Sequence, residues 1–448
     1  MKINPEIFKA YDIRGLYSKE IDEDTVYNIG RAIVAYLNLK RIVIGRDIRN
    51  SSESLRKSLI EGITDGGADV VDIGVATTPM IYYASGKMDV DAGAIITASH
   101  NPAEYNGMKL CLKGAVPIGE GSGMEDIKEL AIKGKFEEVL EKGTVVEQLE
   151  FKKGYKEYVA SFFKKGLGQK KLVIDFANAM GIEEKDILEK FSEDLKLEYL
   201  YDDFDGSFPN HEANPLKTET LETLQKKVLA TGSDLGIAYD GDSDRVGFVD
   251  EKGDAVPMDY VTALISKEIL KKHPGGLILI DLRSSNAVRE VIQEAGGEVR
   301  HCRVGHSLIK AQMRAEGAIF AGELSGHYFF EENFKAEMTV LAVIMILNLL
   351  NETGKTMSEL TEELKRYHHS GEINSEVKNP QEVFRQLKEK YSDGKLNELD
   401  GVRIDFADWW FNVRASNTEP KIRLNLEAKD KKLMEDKITE VLEIVRSN

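Results

Sequence analysis

The sequence predicts an α/β protein with three related α/β domains and a small C-terminal α+β domain. One pattern occurs three times, at 41–74, 171–191 and 276–305: a continuously apolar strand, a polar turn and a segment with helical periodicity. Strands that are apolar throughout and alternate with helices indicate βαβ units, whose sheets are buried on both faces. Three such units in one chain indicate three domains of the same kind.

The C-terminal part of the chain has a different pattern. A helical segment at 379–393 precedes three strand-like segments, at 401–408, 409–416 and 421–428, and an amphipathic helix follows them. Strands in a meander with flanking helices are typical of a small α+β domain. We therefore expect four domains, and we assign them to residues 1–150, 151–252, 253–369 and 370–448.

Length and composition exclude several classes of protein. A chain of 448 residues is longer than a single hydrophobic core usually supports. Its hydrophobic share of 42% and charged share of 31% are typical of an ordered globular protein. The net charge of −17 argues against nucleic acid or an anionic membrane as a general partner. A small anionic substrate is still compatible with this charge where basic side chains gather.

The sequence also favours a cytoplasmic location. Cys111 and Cys302 are too few for a disulfide framework and lack the spacing of metal ligands. The N-terminal segment has no apolar core of the kind that secretory signals contain. The longest apolar run, 340–350, is about half the length of a membrane span and predicts a buried core helix.

An acidic turn follows the apolar strand at 235–239. Asp240, Asp242 and Asp244 stand at alternate positions, and a pair of such carboxylates about 4 Å apart costs roughly 4 kcal/mol at an effective dielectric near 20. A hard divalent cation such as Mg²⁺ or Ca²⁺ removes this cost, so a metal site is predicted. A solvated turn and a phosphatase nucleophile stay open, whereas an EF-hand loop requires glycine where Arg245 stands.

A second polar stretch, at 94–110, combines reactive groups with turn residues. Ser99 and His100 follow an apolar strand, and Asn106 with Gly107 begins a return strand that carries Lys109. Since neighbouring residues of a strand face opposite sides, we expect Ser99 and His100 to point apart. They are then badly placed to act together as nucleophile and base.

Two further stretches could bind a sugar phosphate. Glu323, Ser325 and His327 lie in a glycine-flanked loop at 321–330, and such side chains can bind vicinal hydroxyls. The turn at 413–424 offers hydroxyl, amide and backbone N–H donors to an anion, with Arg414 and Arg423 on either side of Ser416, Asn417 and Thr418. An ordinary turn between two strands explains the second stretch equally well.

Four motifs in this order resemble the α-D-phosphohexomutase superfamily: TASHNP (97–102), DGDSDR (240–245), GELSGH (322–327) and RASNTEP (414–420). Two more, FKAYDIRG (8–15) and GHSLIK (305–310), are similar to its phosphomannomutase/phosphoglucomutase branch. The resemblance spans nearly the whole chain and implies four domains around a central active-site cleft.

The resemblance implies a role for each motif. Ser99 corresponds to a phosphoserine whose phosphate, with Asp240, Asp242 and Asp244, would bind Mg²⁺. Lys109 and His327 correspond to groups that transfer protons, and Glu323 and Ser325 to a pair that binds the sugar 3- and 4-hydroxyls. A clamp on the non-reacting phosphate corresponds to Arg414, Ser416, Asn417, Thr418 and Arg423. Further groups expected beside the substrate are Tyr11, Arg14, His100, Arg245, His306 and Lys310.

The implied activity is the interconversion of hexose 1-phosphates and hexose 6-phosphates of mannose or glucose. Hexose 1,6-bisphosphate would be the intermediate and activator. Three alternatives stay open: a phosphoglucosamine mutase, a phosphatase that forms an aspartyl phosphate at Asp240, and a non-catalytic sensor of sugar phosphates. Arg283, Ala321 and Ala179 depart from residues that are frequent in the family, which affects sugar preference more than chemistry.

Overall fold

Each of the three strand–turn–helix units predicted from the sequence lies in a sheet of its own. A computed structural model describes residues 3–164, 169–415 and 421–447. Within these ranges the chain forms three mixed sheets with helices and one antiparallel sheet, which confirms the predicted fold class.

The first region, residues 3–150, contains the largest sheet. Its elements are β1 (Ile13–Leu16), α1 (Glu23–Leu37), β2 (Arg41–Arg46), α2 (Ser52–Asp65), β3 (Asp69–Val75), α3 (Thr78–Lys87), β4 (Ala92–Ile96), β5 (Tyr105–Leu112), β6 (Val116–Pro117), α4 (Met124–Lys133) and β7 (Val145–Glu147). The strand order is β1-β5-β4-β2-β3-β7, with β6 paired to β5. Strands β4, β2, β3 and β7 are parallel to one another. Strand β5 is antiparallel to both of its neighbours, β4 and β1.

The second region, residues 151–252, has a four-stranded sheet. Its elements are α5 (Phe151–Ala160), β8 (Lys170–Asp175), α6 (Lys185–Glu189), β9 (Leu195–Leu200), α7 (Thr218–Thr231), β10 (Leu235–Tyr239) and β11 (Val246–Val249). The order is β11-β10-β8-β9, in which β10, β8 and β9 are parallel and β11 returns antiparallel to β10. The acidic turn therefore connects two neighbouring strands.

The third region, residues 253–367, repeats the parallel arrangement. Its elements are α8 (Met258–Lys272), β12 (Leu277–Asp281), α9 (Asn286–Glu294), β13 (Glu298–Cys302), α10 (His306–Glu316), β14 (Phe320–Gly322), β15 (Tyr328–Phe330), β16 (Ala336–Glu337), α11 (Thr339–Thr353) and α12 (Met357–Glu362). The order is β13-β12-β14-β15-β16, and the first three strands in it are parallel.

The fourth region, described for residues 368–415 and 421–447, is an antiparallel sheet with two helices. Its elements are β17 (His368–His369), β18 (Ile373–Glu376), α13 (Pro380–Lys390), β19 (Lys395–Asn397), β20 (Val402–Asp405), β21 (Trp409–Ala415), β22 (Lys421–Ala428) and α14 (Lys431–Arg446). The order is β17-β22-β21-β20-β19, with β18 also paired to β22. The sequence analysis found the meander and both helices but not the short strands β17, β18 and β19.

The hydrophobic core shows how the regions are joined. One continuous cluster of buried side chains extends through the first three regions, from Val43 to Leu364, whereas the fourth region has its own cluster between Val377 and Val445. The apolar run at 340–350 lies in α11 and is buried along most of its length, as predicted. Among the described residues, no helix combines the length and the apolar content that crossing a bilayer requires.

Candidate active site

The polar side chains that the sequence analysis selected lie just beyond the ends of parallel strands. Ser99 follows β4, Asp240 directly follows β10, and Glu323 directly follows β14. In α/β proteins this carboxyl edge of the sheet is where ligands usually bind. The three edges meet, because Ser99 contacts Asp240 and His327 contacts Asp244.

Ser99 lies in a strained turn where the first and second regions touch. Its backbone φ is 49°, in the left-handed region that residues other than glycine rarely adopt. The residue is 1% exposed, and its hydroxyl donates a hydrogen bond to Asp240 Oδ2 at 3.0 Å. A Cβ atom on Gly241 would lie 2.1 Å from the Ser99 carbonyl oxygen, so the two loops can approach only because this position is glycine.

The expectation that Ser99 and His100 point apart is wrong. Ser99 Oγ lies 3.2 Å from His100 Nδ1. The strand β4 ends at Ile96, and the left-handed backbone of Ser99 breaks the alternation on which the expectation was based. Burial, with the nearby charges of Arg245 and Arg14, keeps the pKa of His100 well below its usual range. A neutral imidazole therefore lies beside the serine hydroxyl.

The acidic turn forms a buried cluster that suits a cation. Asp240, Asp242 and Asp244 are 0% exposed, and one oxygen from each lies within 4.8 Å of the others. Burial, and then the charges of the other two carboxylates, raise the pKa of Asp240 well above its usual range. Among the described residues, Oδ1 of Asp242 has no hydrogen-bond partner, and Oδ1 of Asp244 has only an ion-pair contact, with His327 Nε2 at 3.3 Å. Carboxylate oxygens without hydrogen bonds in one buried cluster fit a hard divalent cation such as Mg²⁺.

Lys109 brings a cation from the first region to this cluster. Its Nζ donates to Asp242 Oδ2 at 2.7 Å and also pairs with Asp244 Oδ2. Burial lowers the pKa of Lys109, but the charges of Asp242 and Asp244 outweigh it and hold the pKa above its usual range. Thr78, at the start of α3, adds a hydroxyl that donates to Asp242 Oδ2 at 2.6 Å. The first region thus binds the acidic turn through three side chains.

The loop after β14 joins the cluster from the third region. His327 Nε2 lies 3.3 Å from Asp244 Oδ1, and His327 Nδ1 lies 2.8 Å from Glu323 Oε2. Ser325 Oγ donates to the same Glu323 oxygen at 2.6 Å, and Arg245 Nε lies 3.3 Å from His327 Nε2. Burial opposes protonation of His327, but Asp244 raises its pKa to about 9. The two carboxylates thus favour the protonated form of His327, and a cation bound at the acidic turn would oppose it.

Three more of the predicted residues lie beside this loop. Lys310 is 1% exposed, and its Nζ donates to both carboxylate oxygens of Glu337, at 3.2 and 3.1 Å. His306 Nδ1 lies 3.8 Å from Glu337 Oε1, and the ring of Tyr11 meets the His306 ring edge-on at 5.8 Å. Asp244, His327 and Glu337 form a second group of oxygen and nitrogen atoms close enough for a metal, but Lys310 already balances the charge of Glu337.

Arg14 contacts the loop that carries Ser99. Its Nη1 donates to Asn101 Oδ1 at 2.5 Å, and its guanidinium group pairs with Asp12. The strand β1 that carries Arg14 is antiparallel to β5, so Arg14 lies opposite Gly107 in the return strand. The two strands thus bring Arg14 and Lys109 to the same end of the first sheet.

The arginines of the fourth region form a separate cluster. Arg414 and Arg423 are directly opposite on β21 and β22, a pairing of like charges that is unfavourable without an anion. Glu372 supplies one: its Oε2 lies 3.5 Å from Arg414 Nη2 and its Oε1 lies 3.3 Å from Arg423 Nη1. Arg283, beyond β12, is 3.6 Å from Glu372 Oε2. Ser416, Asn417 and Thr418 lie outside the described residues.

Two buried charged residues near the centre were not found by the sequence analysis. Arg49 follows β2 and binds the loop that carries Ser99, while Glu184 receives hydrogen bonds from Ser243 Oγ at 3.3 Å and Thr77 Oγ1 at 3.4 Å. Burial raises the pKa of Glu184 to about 8. The position of Asp47 and Arg49 just after an apolar strand could have indicated a functional role for Arg49. Nothing in the helical pattern around Glu184 indicated that this residue is buried.

Family models match the chain along almost its whole length. Those described as phosphoglucomutase/phosphomannomutase, alpha/beta/alpha domains I, II and III match residues 5–138, 153–253 and 257–367. The model described as the phosphoglucomutase/phosphomannomutase C-terminal domain matches residues 372–444.

Full-length relatives give the same result. The phosphomannomutase of Methanocaldococcus jannaschii is 41% identical over 98% of this chain and 97% of the relative, and that of Escherichia coli K12 is 37% identical over 98% of both. The crystal structure of a phosphoglucomutase/phosphomannomutase family protein from Burkholderia thailandensis superposes with a TM-score of 0.91 at 30% identity, covering 99% of this chain and 98% of the other. The chain therefore belongs to the phosphoglucomutase/phosphomannomutase family of hexose-phosphate mutases.

Proposed function

We propose that this chain interconverts mannose 1-phosphate and mannose 6-phosphate, and the glucose phosphates in the same way, through a phosphoserine at Ser99. Hexose 1,6-bisphosphate is the intermediate and also the compound that phosphorylates the resting enzyme. Glucosamine phosphate is the weaker candidate among sugars, because the full-length relatives at 41% and 37% identity are named phosphomannomutases.

The contact between Ser99 and the acidic turn is the observation that carries this proposal. A hydroxyl 3.0 Å from Asp240 Oδ2 would, once phosphorylated, bring nearly two more negative charges to three buried carboxylates. Mg²⁺ held by Asp240, Asp242, Asp244 and a phosphoryl oxygen on Ser99 would balance that charge and stabilise the transferred group. Lys109 adds a fixed positive charge at the same point.

Each reaction cycle needs two orientations of one sugar. In the first, the Ser99 oxygen–phosphorus bond breaks as the free sugar hydroxyl forms a new bond to that phosphorus. The bisphosphate then turns over, and Ser99 Oγ forms a bond to its other phosphorus as the bond from that phosphorus to the sugar oxygen breaks. In each transfer the attacking hydroxyl loses a proton and the leaving oxygen gains one. Glu323 and Ser325 bind the 3- and 4-hydroxyls in both orientations, while Arg414, Ser416, Asn417, Thr418 and Arg423 hold the non-reacting phosphate. Holding the acceptor oxygen in line with phosphorus is where proximity contributes most.

The hydroxyl that attacks phosphorus must lose a proton, and Lys109 and His327 are the two candidates to take it. Their carboxylate neighbours favour the protonated form of both. A divalent cation bound to those carboxylates would offset their charge and so favour the neutral forms that a base requires. Lys109 and His327 both contact Asp244, one from the first region and one from the third. Substituting each by alanine and measuring kcat across pH 6 to 9 tests this assignment. Near wild-type kcat at every pH in both variants would contradict it.

Mass spectrometry of the intact chain and its peptides tests the proposal directly. Incubation with glucose 1,6-bisphosphate is expected to place one phosphate on a peptide that contains Ser99. A phosphatase of the aspartyl-phosphate type would instead label Asp240 and release inorganic phosphate without forming an isomer. An unlabelled Ser99 after this incubation would contradict the proposal.

Assays with three sugar phosphates show which substrate the enzyme prefers. Mannose 1-phosphate, glucose 1-phosphate and glucosamine 1-phosphate should be compared by kcat/KM under identical conditions. We expect the first two to be turned over with similar efficiency, because one inverted hydroxyl changes binding only modestly. A glucosamine phosphate preference of tenfold or more would reverse the assignment.

A further inference from the structure

Arg49 is a buried arginine whose entire hydrogen-bonding capacity is directed at one loop and one carboxylate. Its side chain is 0% exposed. Nη2 donates to the carbonyl oxygens of Ser99 and Asn101 at 2.7 and 2.6 Å, and Nη1 donates to those of Pro102 and Tyr105 at 2.6 and 3.1 Å. With Nε bound to a carboxylate, all five N–H groups that a guanidinium group offers are used.

Contacts with an acidic residue, and with an aromatic ring of the second region, fix the orientation of the Arg49 guanidinium group. Asp47 Oδ2 accepts from Nε at 3.2 Å, and Asp47 Oδ1 accepts from the Arg49 backbone N–H at 3.0 Å. Ser52 donates its hydroxyl to that same Asp47 oxygen. The ring of Phe208, from the second region, lies 4.9 Å from the guanidinium carbon. Arg49 therefore has one orientation, set by its own strand end and by the second region.

These contacts act on the backbone of the nucleophile. Ser99 is held at a φ of 49°, a conformation that persists only where the surroundings enforce it. The carbonyl oxygen of Ser99 lies between Arg49 and Gly241, and four carbonyl oxygens over residues 99–105 converge on one cation. We infer that Arg49 is the positioning residue of this enzyme, fixing the backbone that aims Ser99 Oγ at the acidic turn. The inference rests on the proposed function of Ser99.

The test compares Arg49 with Arg314, a matched arginine that is not near Ser99. Arg314 also binds backbone carbonyl oxygens. Its Nη2 donates to those of Gly114 at 2.8 Å, Ala115 at 2.9 Å and Phe334, which joins the first and third regions, and its Nη1 donates to those of Lys310 at 2.8 Å and Lys335 at 3.5 Å. Arg49→Lys and Arg314→Lys each replace five planar donors by three, so both lose backbone contacts of the same kind.

For Arg49→Lys we expect kcat to fall about 10²-fold with KM changed less than about threefold, since small displacements of a reacting group have effects of this size. The rate at which glucose 1,6-bisphosphate phosphorylates Ser99 should fall in parallel, while melting temperatures of the two variants stay similar. Arg314→Lys should keep kcat within about threefold. Equal losses of kcat in the two variants, or a loss for Arg49→Lys that appears only in KM, would overturn the inference.

Hydrogen exchange provides a second readout that does not need turnover. Backbone amides of residues 97–105 should exchange at least about tenfold faster in Arg49→Lys than in the wild type, and at the wild-type rate in Arg314→Lys. Unchanged exchange in Arg49→Lys would overturn the inference even if activity were lost. If wild-type Ser99 takes no phosphate, the proposed function fails, while the exchange result still decides whether Arg49 holds the loop.

Discussion

The charged cluster at the acidic turn and the arginine cluster of the fourth region are built in opposite ways. At the acidic turn, Asp242 and Lys109 are fully or almost fully buried and joined at 2.7 Å across two regions. In the fourth region, Arg423 and Glu372 are each 28% exposed and 3.3 Å apart. Buried, tightly bonded charges keep one geometry, whereas a partly exposed pair is easily exchanged for another anion. Under the proposed function, the reacting end would be fixed before substrate arrives, and the distal end would exchange Glu372 for a phosphate.

Removing the nucleophile should have the largest effect. Ser99→Ala is expected to lower kcat at least about 10³-fold, because it removes the hydroxyl proposed to carry the phosphate, with the melting temperature almost unchanged. A coupled assay that follows hexose 6-phosphate measures the loss. Ser85→Ala, which removes another buried hydroxyl whose hydrogen bonds are with the backbone of Tyr82 and Ala115, is the control and should keep kcat within about twofold. Substantial turnover by Ser99→Ala would show that the nucleophile lies elsewhere.

Removing the metal should lower kcat slightly less than Ser99→Ala does. Treatment with a chelator is expected to lower kcat at least about 10²-fold and to lower the melting temperature, since a bound cation stabilises the native state. Both should recover when Mg²⁺ is added. Activity that is insensitive to chelation would contradict a cation at Asp240, Asp242 and Asp244.

The distal cluster should respond through KM. Arg423→Ala is expected to raise KM about 10- to 100-fold with a smaller change in kcat, because charge-assisted hydrogen bonds to a phosphate contribute about 1.5–3 kcal/mol. Arg385→Ala is the matched control in the same region, since within the described part of the chain Arg385 pairs with Glu382 and Glu389 of its own helix. If kcat fell more than KM rose, the division into reacting and distal ends would be wrong.

The smallest predicted effect concerns stability and pH. The pKa of Glu184 rises from 4.5 to about 8 on burial, so between these values the folded protein binds a proton that the unfolded chain releases. The contribution of Glu184 to the free energy of unfolding therefore falls as pH rises from about 4.5 to about 8. Glu184→Gln removes this dependence. The stability of the variant minus that of the wild type should therefore be greater at pH 8 than at pH 5, by on the order of 1–4 kcal/mol. Urea unfolding at the two pH values measures it; parallel curves would contradict a buried neutral Glu184.

Sequence reasoning worked where a local pattern determines the structure. The apolar strands followed by helices, the acidic turn between β10 and β11, the buried helix α11 and the C-terminal meander all follow from periodicity. It failed where a distant residue determines the backbone. Ser99 and His100 lie on the same side because the turn is held by Arg49, about 50 residues earlier in the chain, and no local pattern encodes that contact. Strand β18 was missed because its residues, INSE, are mostly polar.

The claim that a divalent cation is shared between the acidic turn and phosphorylated Ser99 can be tested by one titration. Mn²⁺ binding should be measured by calorimetry for the phosphorylated and the dephosphorylated protein, with Asp242→Asn as reference. We expect phosphorylation to tighten Mn²⁺ binding at least about tenfold, because a phosphoserine adds both charge and a ligand oxygen. Equal affinities in the two forms would show that Ser99 and the acidic turn do not share the ion.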